Sequence, residues 1–373
     1  EGTESPGGHD RFPWPVAGWV LAAAAVLGVF VYQWHPHVPD EVPYLLHARY
    51  FSEGRLFLPA PPVPHAFEVD LLQYDPARWY SPVPLGWPAV LAVGALFGLP
   101  GLVNPILAGL CVVLTYRLLN EVYDRGIARL GTLLLAVSPW FLFMSMNLMT
   151  HTATLAFGLA AALAVARLRR TRRLRWALIG GAAIGFASLI RPLEGLVLAG
   201  LLGLWALPVR GRRVRFAPVL CLALATAAVA AVTFPYNAAL TGSALEFPLM
   251  RYTDLQYGEG TNAMGFGPNR GLGWTGLDPL PGHGFLDVLI NANLNVFSIN
   301  TELLGWATGS IGIIGLLVVG WSRVRRPDIL MMAAVLAVAG AHSFYWFSGG
   351  PDFAARYWYL AIVPLIALAA RGI

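Results

Sequence analysis

The 373-residue chain has no lysine, and all 25 of its basic residues are arginine. Charge of either sign is scarce, at 12% against roughly 25% in an ordinary soluble domain. With 57% hydrophobic residues, so few charges cannot cover a water-facing surface, which excludes a soluble globular or a disordered chain. There are only two cysteines, Cys111 and Cys221, both inside apolar runs. They exclude a disulfide framework and read as small buried hydrophobes. No internal repeat is visible. The first fifteen residues, EGTESPGGHDRFPWP, are polar, acidic and rich in Pro and Gly, and do not look like a cleavable signal. The chain opens on Glu1, not Met, and stops at Ile373 beside an apolar run, as expected of a sequence trimmed at both ends.

What is present is a series of apolar runs near the length of about 20 residues that a membrane crossing requires. They fall at 14–34, 102–120, 127–146, 152–168, 174–190, 193–209, 216–235, 303–322, 329–347 and 356–371. The expectation is an all-α polytopic integral membrane protein of about ten transmembrane helices, forming one domain over 1–373. Trp19, Tyr32 and Trp34 suit the interfacial zones of the first span. A first outer loop spans 35–100 and carries two interfacial helices, at 41–53 and 81–97. Pro82, Pro84 and Pro88 crowd the start of the second, arguing against a crossing there. A second outer loop spans 236–302.

The arginines test this layout independently. They cluster at Arg117, Arg125 and Arg129; at Arg167, Arg169, Arg170, Arg172, Arg173 and Arg175; at Arg210, Arg212, Arg213 and Arg215; and at Arg323, Arg325 and Arg326. Ten crossings place all four clusters on one side, which the positive-inside rule makes cytoplasmic together with both termini. The other side receives both long loops and most acids, among them Asp40, Glu41, Glu53, Glu68, Asp70, Asp75, Asp254, Glu259, Asp278 and Asp287. The clusters are therefore a topology signal with lipid-headgroup contact, and no nucleic acid is implied. An inner or plasma membrane of a bacterium is the expected location.

Several polar residues share one depth, at the outer ends of the spans: Asn147, Thr150 and His151; Arg191 and Glu194; His342; Arg356 and Tyr357. Ionisable groups in hydrocarbon are costly unless paired or facing a wet cavity, so their common depth implies one outward-facing polar cavity. Two guanidiniums, Arg191 and Arg356, suit a phosphate at the membrane surface. Asp40 can take a proton from an acceptor hydroxyl or amine while that group attacks a sugar carbon. Apolar grooves between spans accept a polyprenyl tail. This is the chemistry of sugar transfer from a lipid-phosphate donor.

Four stretches resemble the GT-C membrane glycosyltransferases, which include protein O-mannosyltransferases and aminoarabinose transferases. They are the acidic pair Asp40 and Glu41 followed by YLLHARYFSEGRLFLPAP, the segment WYSPVPLGWPAVLAVGALFG, the span end GFASLIRP, and the late ARYWYLAIVPLIALAARG. The resemblance covers most of the chain and implies that Asp40 in the first outer loop is the catalytic base, with Glu41 beside it. It also implies a donor phosphate site, here assigned to Arg191, Arg356 and Tyr357. Aminoarabinose transferases carry a phosphate-contacting Lys just before the double Pro of the second interfacial helix. The corresponding place here reads Trp79, Tyr80, Ser81 and Pro82, so phosphate binding falls to arginine.

Further substrate-facing candidates are Tyr80, His151, Arg270 and His283, the last two in a Gly-rich stretch of the second outer loop that would act as a lid. Tyr252, Tyr257, Phe266 and Trp274 would stack on sugar faces. No cofactor is firmly required. A possible divalent cation would draw on His65 and His151 with Glu68 or Asp75, but no short ligand spacing supports it, and no metal ligand is assigned. The expected partners are a polyprenyl-phosphate sugar, hexosyl or pentosyl, a glycan, lipid or protein acceptor outside the cytoplasm, and membrane lipids. Two other readings fit the same composition: a non-catalytic GT-C-like subunit of a membrane complex, and a lipid or solute transporter, although the latter usually shows repeated halves.

Overall fold

The computed structural model describes residues 10–207, 216–274, 278, 280–320, 324–349 and 353–373. Arg210, Arg212, Arg213, Arg215 and Arg323 of the basic clusters lie outside the described residues. The chain is mainly helical. In order, the helices are α1 (Pro13–Phe30), α2 (Glu41–Ser52), α3 (Gly86–Leu96), α4 (Val103–Val122), α5 (Arg125–Ala136), α6 (Pro139–Met146), α7 (His151–Thr171) and α8 (Leu174–Ile190). They continue with α9 (Pro192–Ala206), α10 (Ala217–Ala230), α11 (Thr233–Thr241), α12 (Pro248–Tyr257), α13 (Phe285–Glu302), α14 (Ile311–Val319), α15 (Arg326–His342) and α16 (Ile362–Gly372).

Among the described residues, four helical stretches are long and apolar enough to cross a membrane: Pro13–Phe30, Pro100–Val122, His151–Thr171 and Ala217–Thr241. The bent pair α5 and α6 makes a fifth if it is one span. Its 58° bend falls where Pro139 removes an N–H from the helical ladder and the Ser138 hydroxyl oxygen accepts the N–H of Phe141 instead. α3, α8 and α9 are apolar but shorter.

Two local devices position the polar end of the bundle. Pro192 disfavours helical backbone at the residue before it, so Arg191 is extended (φ −141°, ψ 98°), ends α8 and caps α9. The turn between α6 and α7 is held from three directions. The Asn104 side-chain amide donates to the carbonyls of Asn147 (2.7 Å) and Met149 (2.9 Å). The Trp87 indole donates to the Leu148 carbonyl at 2.8 Å, and the Leu148 N–H donates to Glu41 at 2.7 Å. α8 packs backbone to backbone on α10, because a Cβ at Gly181 would stand 2.3 Å from the carbonyl oxygen of Leu222. Gly86 does the same for α3, where a Cβ would stand 2.6 Å from the Leu189 carbonyl carbon. That contact brings the first loop onto the corner that carries Arg191.

The first loop departs from the all-helical expectation. Besides α2 and α3 it holds a small antiparallel sheet of order β1-β3-β2, made of Leu58–Pro59, Gln73–Tyr74 and Arg78–Tyr80. Leu58 pairs with Trp79, and Tyr74 also pairs with Trp79. The second loop departs too. α12 and the 18-residue α13 are helices within 236–302, and α13 is amphipathic, with Asn295 and Ile299 buried and Phe285, Leu289 and Phe297 exposed.

Candidate functional site

Asp40 stands at the N-cap position of α2, yet its side chain caps nothing. It reaches across to Arg356 at the start of the 3-10 turn Arg356–Ala361, whose Nη1 donates to Asp40 Oδ2 at 3.4 Å. The two ends of this pair differ in access. Side-chain exposure is 6% for Arg356 and 32% for Asp40, so the carboxylate is open to solvent while the guanidinium faces the interior, where it lines a cavity. Arg356 also donates from Nη2 to the Tyr357 hydroxyl at 3.4 Å and lies 5.1 Å from the centre of that ring.

Arg191 lies over the same Tyr357 ring, 5.5 Å from its centre. Its Nε is ion-paired with Glu194 one helical turn along, and its Nη1 donates to Thr150 Oγ1 at 3.3 Å. Glu194 is also 3.5 Å from His342 Nε2, whose other ring nitrogen contacts the Val338 carbonyl at 2.9 Å. Two arginines, a glutamate, a histidine and a shared tyrosine thus close on one another from α9, α15 and the Arg356 turn. Tyr44, one turn after Asp40 on α2, lies within electrostatic reach of Asp40, Arg191, Arg356 and Tyr357, and burial raises its phenol above the ordinary value.

Arg191, Glu194, Arg356 and Tyr357 line a small cavity together with His151 and Tyr359. It abuts a second, larger and apolar cavity between α4, α7, α9, α15 and α16, and Leu155 and Leu360 belong to both walls. The arrangement can hold an anion against two guanidiniums, and it offers the chain attached to that anion an apolar groove.

The sequence candidates separate accordingly. Asp40, Arg191, Arg356, Tyr357 and His151 meet at or beside the cavity. Glu41 does not join Asp40 as a catalytic carboxylate. It is fully buried, Oε2 accepts the Tyr32 hydroxyl (2.7 Å) and the His37 N–H (2.9 Å), and Oε1 accepts the Leu148 N–H. Burial pushes its carboxyl above the ordinary value, and those donors pull it partly back. Glu41 is therefore a tie between α2 and the α6–α7 turn.

Tyr80, Arg270 and His283 also stand apart from the cavity lining. Tyr80 is buried against Tyr236 and Leu240. Arg270 Nη1 donates to the Gly260 carbonyl at 2.5 Å, and His283 Nε2 contacts the Ser343 carbonyl at 3.0 Å while its ring stacks on Phe266. Their polar atoms brace the loops, and none lines the cavity. Among the aromatic candidates, the Tyr252 hydroxyl accepts the N–H of Leu71 at 3.0 Å, while Tyr257, Phe266 and Trp274 stay exposed. Among the described residues no three His, Cys, Asp or Glu side chains are grouped so as to hold a metal ion. The pairing of Arg191 with Glu194 was missed although an i, i+3 spacing across Pro192 signals it. Tyr44 carried no comparable signal.

Residues 94–236 match the family model of the dolichyl-phosphate-mannose-protein mannosyltransferases. Among solved structures, the chain is similar to ArnT from Cupriavidus metallidurans bound to undecaprenyl phosphate. The TM-score is 0.59 at 17% identity, over 95% of this chain and 60% of that one. It is also similar to the Archaeoglobus fulgidus oligosaccharyltransferase in complex with Zn and sulfate, with a TM-score of 0.52 at 17% identity, over 94% of this chain and 48% of that one. The chain thus spans 60% of the length of the first and about half of the second. No curated protein matches the sequence. Apolar helices of spanning length and a matching helical path make this an integral membrane protein, and its fold is similar to those of ArnT and the archaeal oligosaccharyltransferase.

Proposed function

We propose that the chain transfers a sugar from a polyprenyl-phosphate donor to an acceptor outside the cytoplasm, with inversion at the anomeric carbon. The observation that carries this is the adjacency of the two cavities. A recess walled by Arg191 and Arg356 shares Leu155 and Leu360 with an apolar groove, an arrangement that suits a phosphate bearing a long hydrocarbon tail. ArnT, similar in fold, is bound to undecaprenyl phosphate in its solved structure.

In this scheme the acceptor hydroxyl or amine gives its proton to Asp40 as its oxygen or nitrogen bonds to the anomeric carbon. The bond from that carbon to the phosphate oxygen breaks, and polyprenyl phosphate leaves with the electron pair, its charge stabilised by Arg356 and Arg191. Both guanidiniums lie against the Tyr357 ring. Residues 1–373 form one transmembrane unit of ten crossings with cytoplasmic termini, and the cavity opens on the outer face of a bacterial inner membrane. The sugar is a hexose or pentose, and the acceptor a glycan, lipid or protein.

The test is transfer of radiolabelled sugar from a panel of polyprenyl-phosphate donors in proteoliposomes, with Asp40→Asn alongside. Transfer that drops by about a hundredfold or more in the variant supports the scheme. Equal transfer by both removes Asp40 as base and keeps the enzyme. Neither transfer nor donor binding by the parent would instead favour a non-catalytic subunit.

A further inference from the structure

We infer that His151 is a third contact for the donor's phosphate, donating a ring N–H to a non-bridging oxygen; this rests on the lipid-phosphate reading above. His151 opens α7 and is 3% exposed. Among the described residues neither of its ring nitrogens has a hydrogen-bond partner. A buried polar group left unpaired costs about 1–3 kcal/mol, so an imidazole kept only as filler is poorly suited to this place. Its ring meets that of Tyr359 edge-on, centres 6.2 Å apart, a contact a phenyl ring would make as well.

The neighbours define what it meets. His151 shares the cavity wall with Arg191, Glu194, Arg356 and Tyr357. Each arginine there already faces a carboxylate, Arg191 that of Glu194 and Arg356 that of Asp40. The imidazole, by contrast, has its hydrogen-bonding capacity open. A neutral imidazole offers one N–H and one acceptor nitrogen, and between two guanidiniums the ligand that suits it is an anion accepting that N–H. The turn before it is pinned by Asn104, Trp87 and Glu41, so the ring is held in place before any ligand arrives. A phosphate oxygen could belong to the lipid head group or to free phosphate, and both present the same acceptor.

The experiment uses the full chain in nanodiscs with ring-15N-histidine labelling, and His151 is assigned by the signal lost in His151→Asn. The probes are a long-chain polyprenyl monophosphate, the matching polyprenol and inorganic phosphate. The expected result is a shift of the His151 ring nitrogens with the lipid phosphate and none with the polyprenol. A shift with inorganic phosphate alone also supports the contact and assigns it to any phosphate, whereas a shift confined to the lipid assigns it to the tail-bearing head group. A parent that binds the lipid phosphate with no change at His151 overturns the inference and leaves the phosphate site standing. In equilibrium binding, the preference of the parent for lipid phosphate over polyprenol should fall about tenfold in His151→Phe. An unchanged preference overturns the inference, and no preference in the parent removes the phosphate-site reading itself. His151→Phe loses the same signal, so the assignment and the reading on the parent need only one of the two variants to fold.

Discussion

Arg356 and Asp40, 316 positions apart in sequence, face each other at 3.4 Å, with the cation buried and the carboxylate one-third exposed. In the proposed scheme a donor phosphate entering the cavity would compete with Asp40 for the guanidinium, so its arrival would uncover the carboxylate for the acceptor. Arg356→Gln should lower kcat/KM by about a hundredfold, and Arg356→Lys, which keeps the charge but loses the planar fork, by about tenfold. Because Asp40 is part-exposed, Asp40→Asn should shift stability by less than about 1 kcal/mol. Thermal melts in detergent check this. A collapse of the fold in Asp40→Asn would make the pair structural and the activity loss uninformative.

Glu41 supplies the opposite case, an acid beside the site whose oxygens are all engaged. Glu41→Ala leaves the Leu148 and His37 N–H groups and the Tyr32 hydroxyl without their acceptor. At about 1–3 kcal/mol for each unmet group, the loss of stability should be at least about 3 kcal/mol. Glu41→Gln keeps an acceptor oxygen and should lose roughly half as much. Melting curves paired with transfer assays separate the roles. A Glu41→Gln variant that melts like the parent yet transfers nothing would return Glu41 to the chemistry.

His47 on α2 gives the first loop a dependence on pH. It is fully buried against Tyr50 and Phe51, and desolvation pushes its imidazole down to about 3. The unfolded chain takes up the proton near 6.5 and the folded one does not, so the contribution to stability is whole above about 6.5 and is lost progressively as pH falls toward about 3. At pH 5 the loss amounts to about 2 kcal/mol. His47→Phe should abolish this acid limb, read as melting temperature between pH 7 and pH 5. An unchanged slope would show that other groups govern the acid response.

How far the sequence carried these conclusions varies with the range of the forces involved. α8 was legible end to end, because an apolar run bounded by Arg173 and by the Arg191-Pro192 step is a local signal. The start of α2 at Glu41 was equally local. Arg191 and Arg356 were picked out by shared depth and Asp40 by its place after the first span, but the contacts of Arg356 with Asp40 and of Arg191 with Tyr357 join distant segments and no spacing announces them. Glu41 looked catalytic because the donors it satisfies, Tyr32, His37 and Leu148, come together only in the fold. The loop sheet escaped because strands of two or three residues, one containing Pro59, carry no periodic pattern. α13 was taken for loop because its asparagines hid an amphipathic face whose polar side, Asn291 and Asn295, bonds the carbonyls of Trp346 and Ser348.

The apolar groove makes a prediction about chain length that does not depend on which sugar is carried. Ala162 on α7 lines it opposite Leu198 and Trp205 on α9. In the proposed scheme a ring added at this position would occupy volume that the distal part of a polyprenyl tail requires, while the polar cavity, bounded by Leu155 about two turns nearer the N-terminus of α7, would keep its shape. Ala162→Phe should therefore raise KM for a long-chain donor by about tenfold, a change of about 1.4 kcal/mol. A donor whose tail is too short to reach Ala162 should be transferred as by the parent. The measurement is a KM series over tail length for both proteins. Parallel curves would place the tail elsewhere on the bundle, and curves that diverge only beyond a given length would show how far along the groove the tail runs.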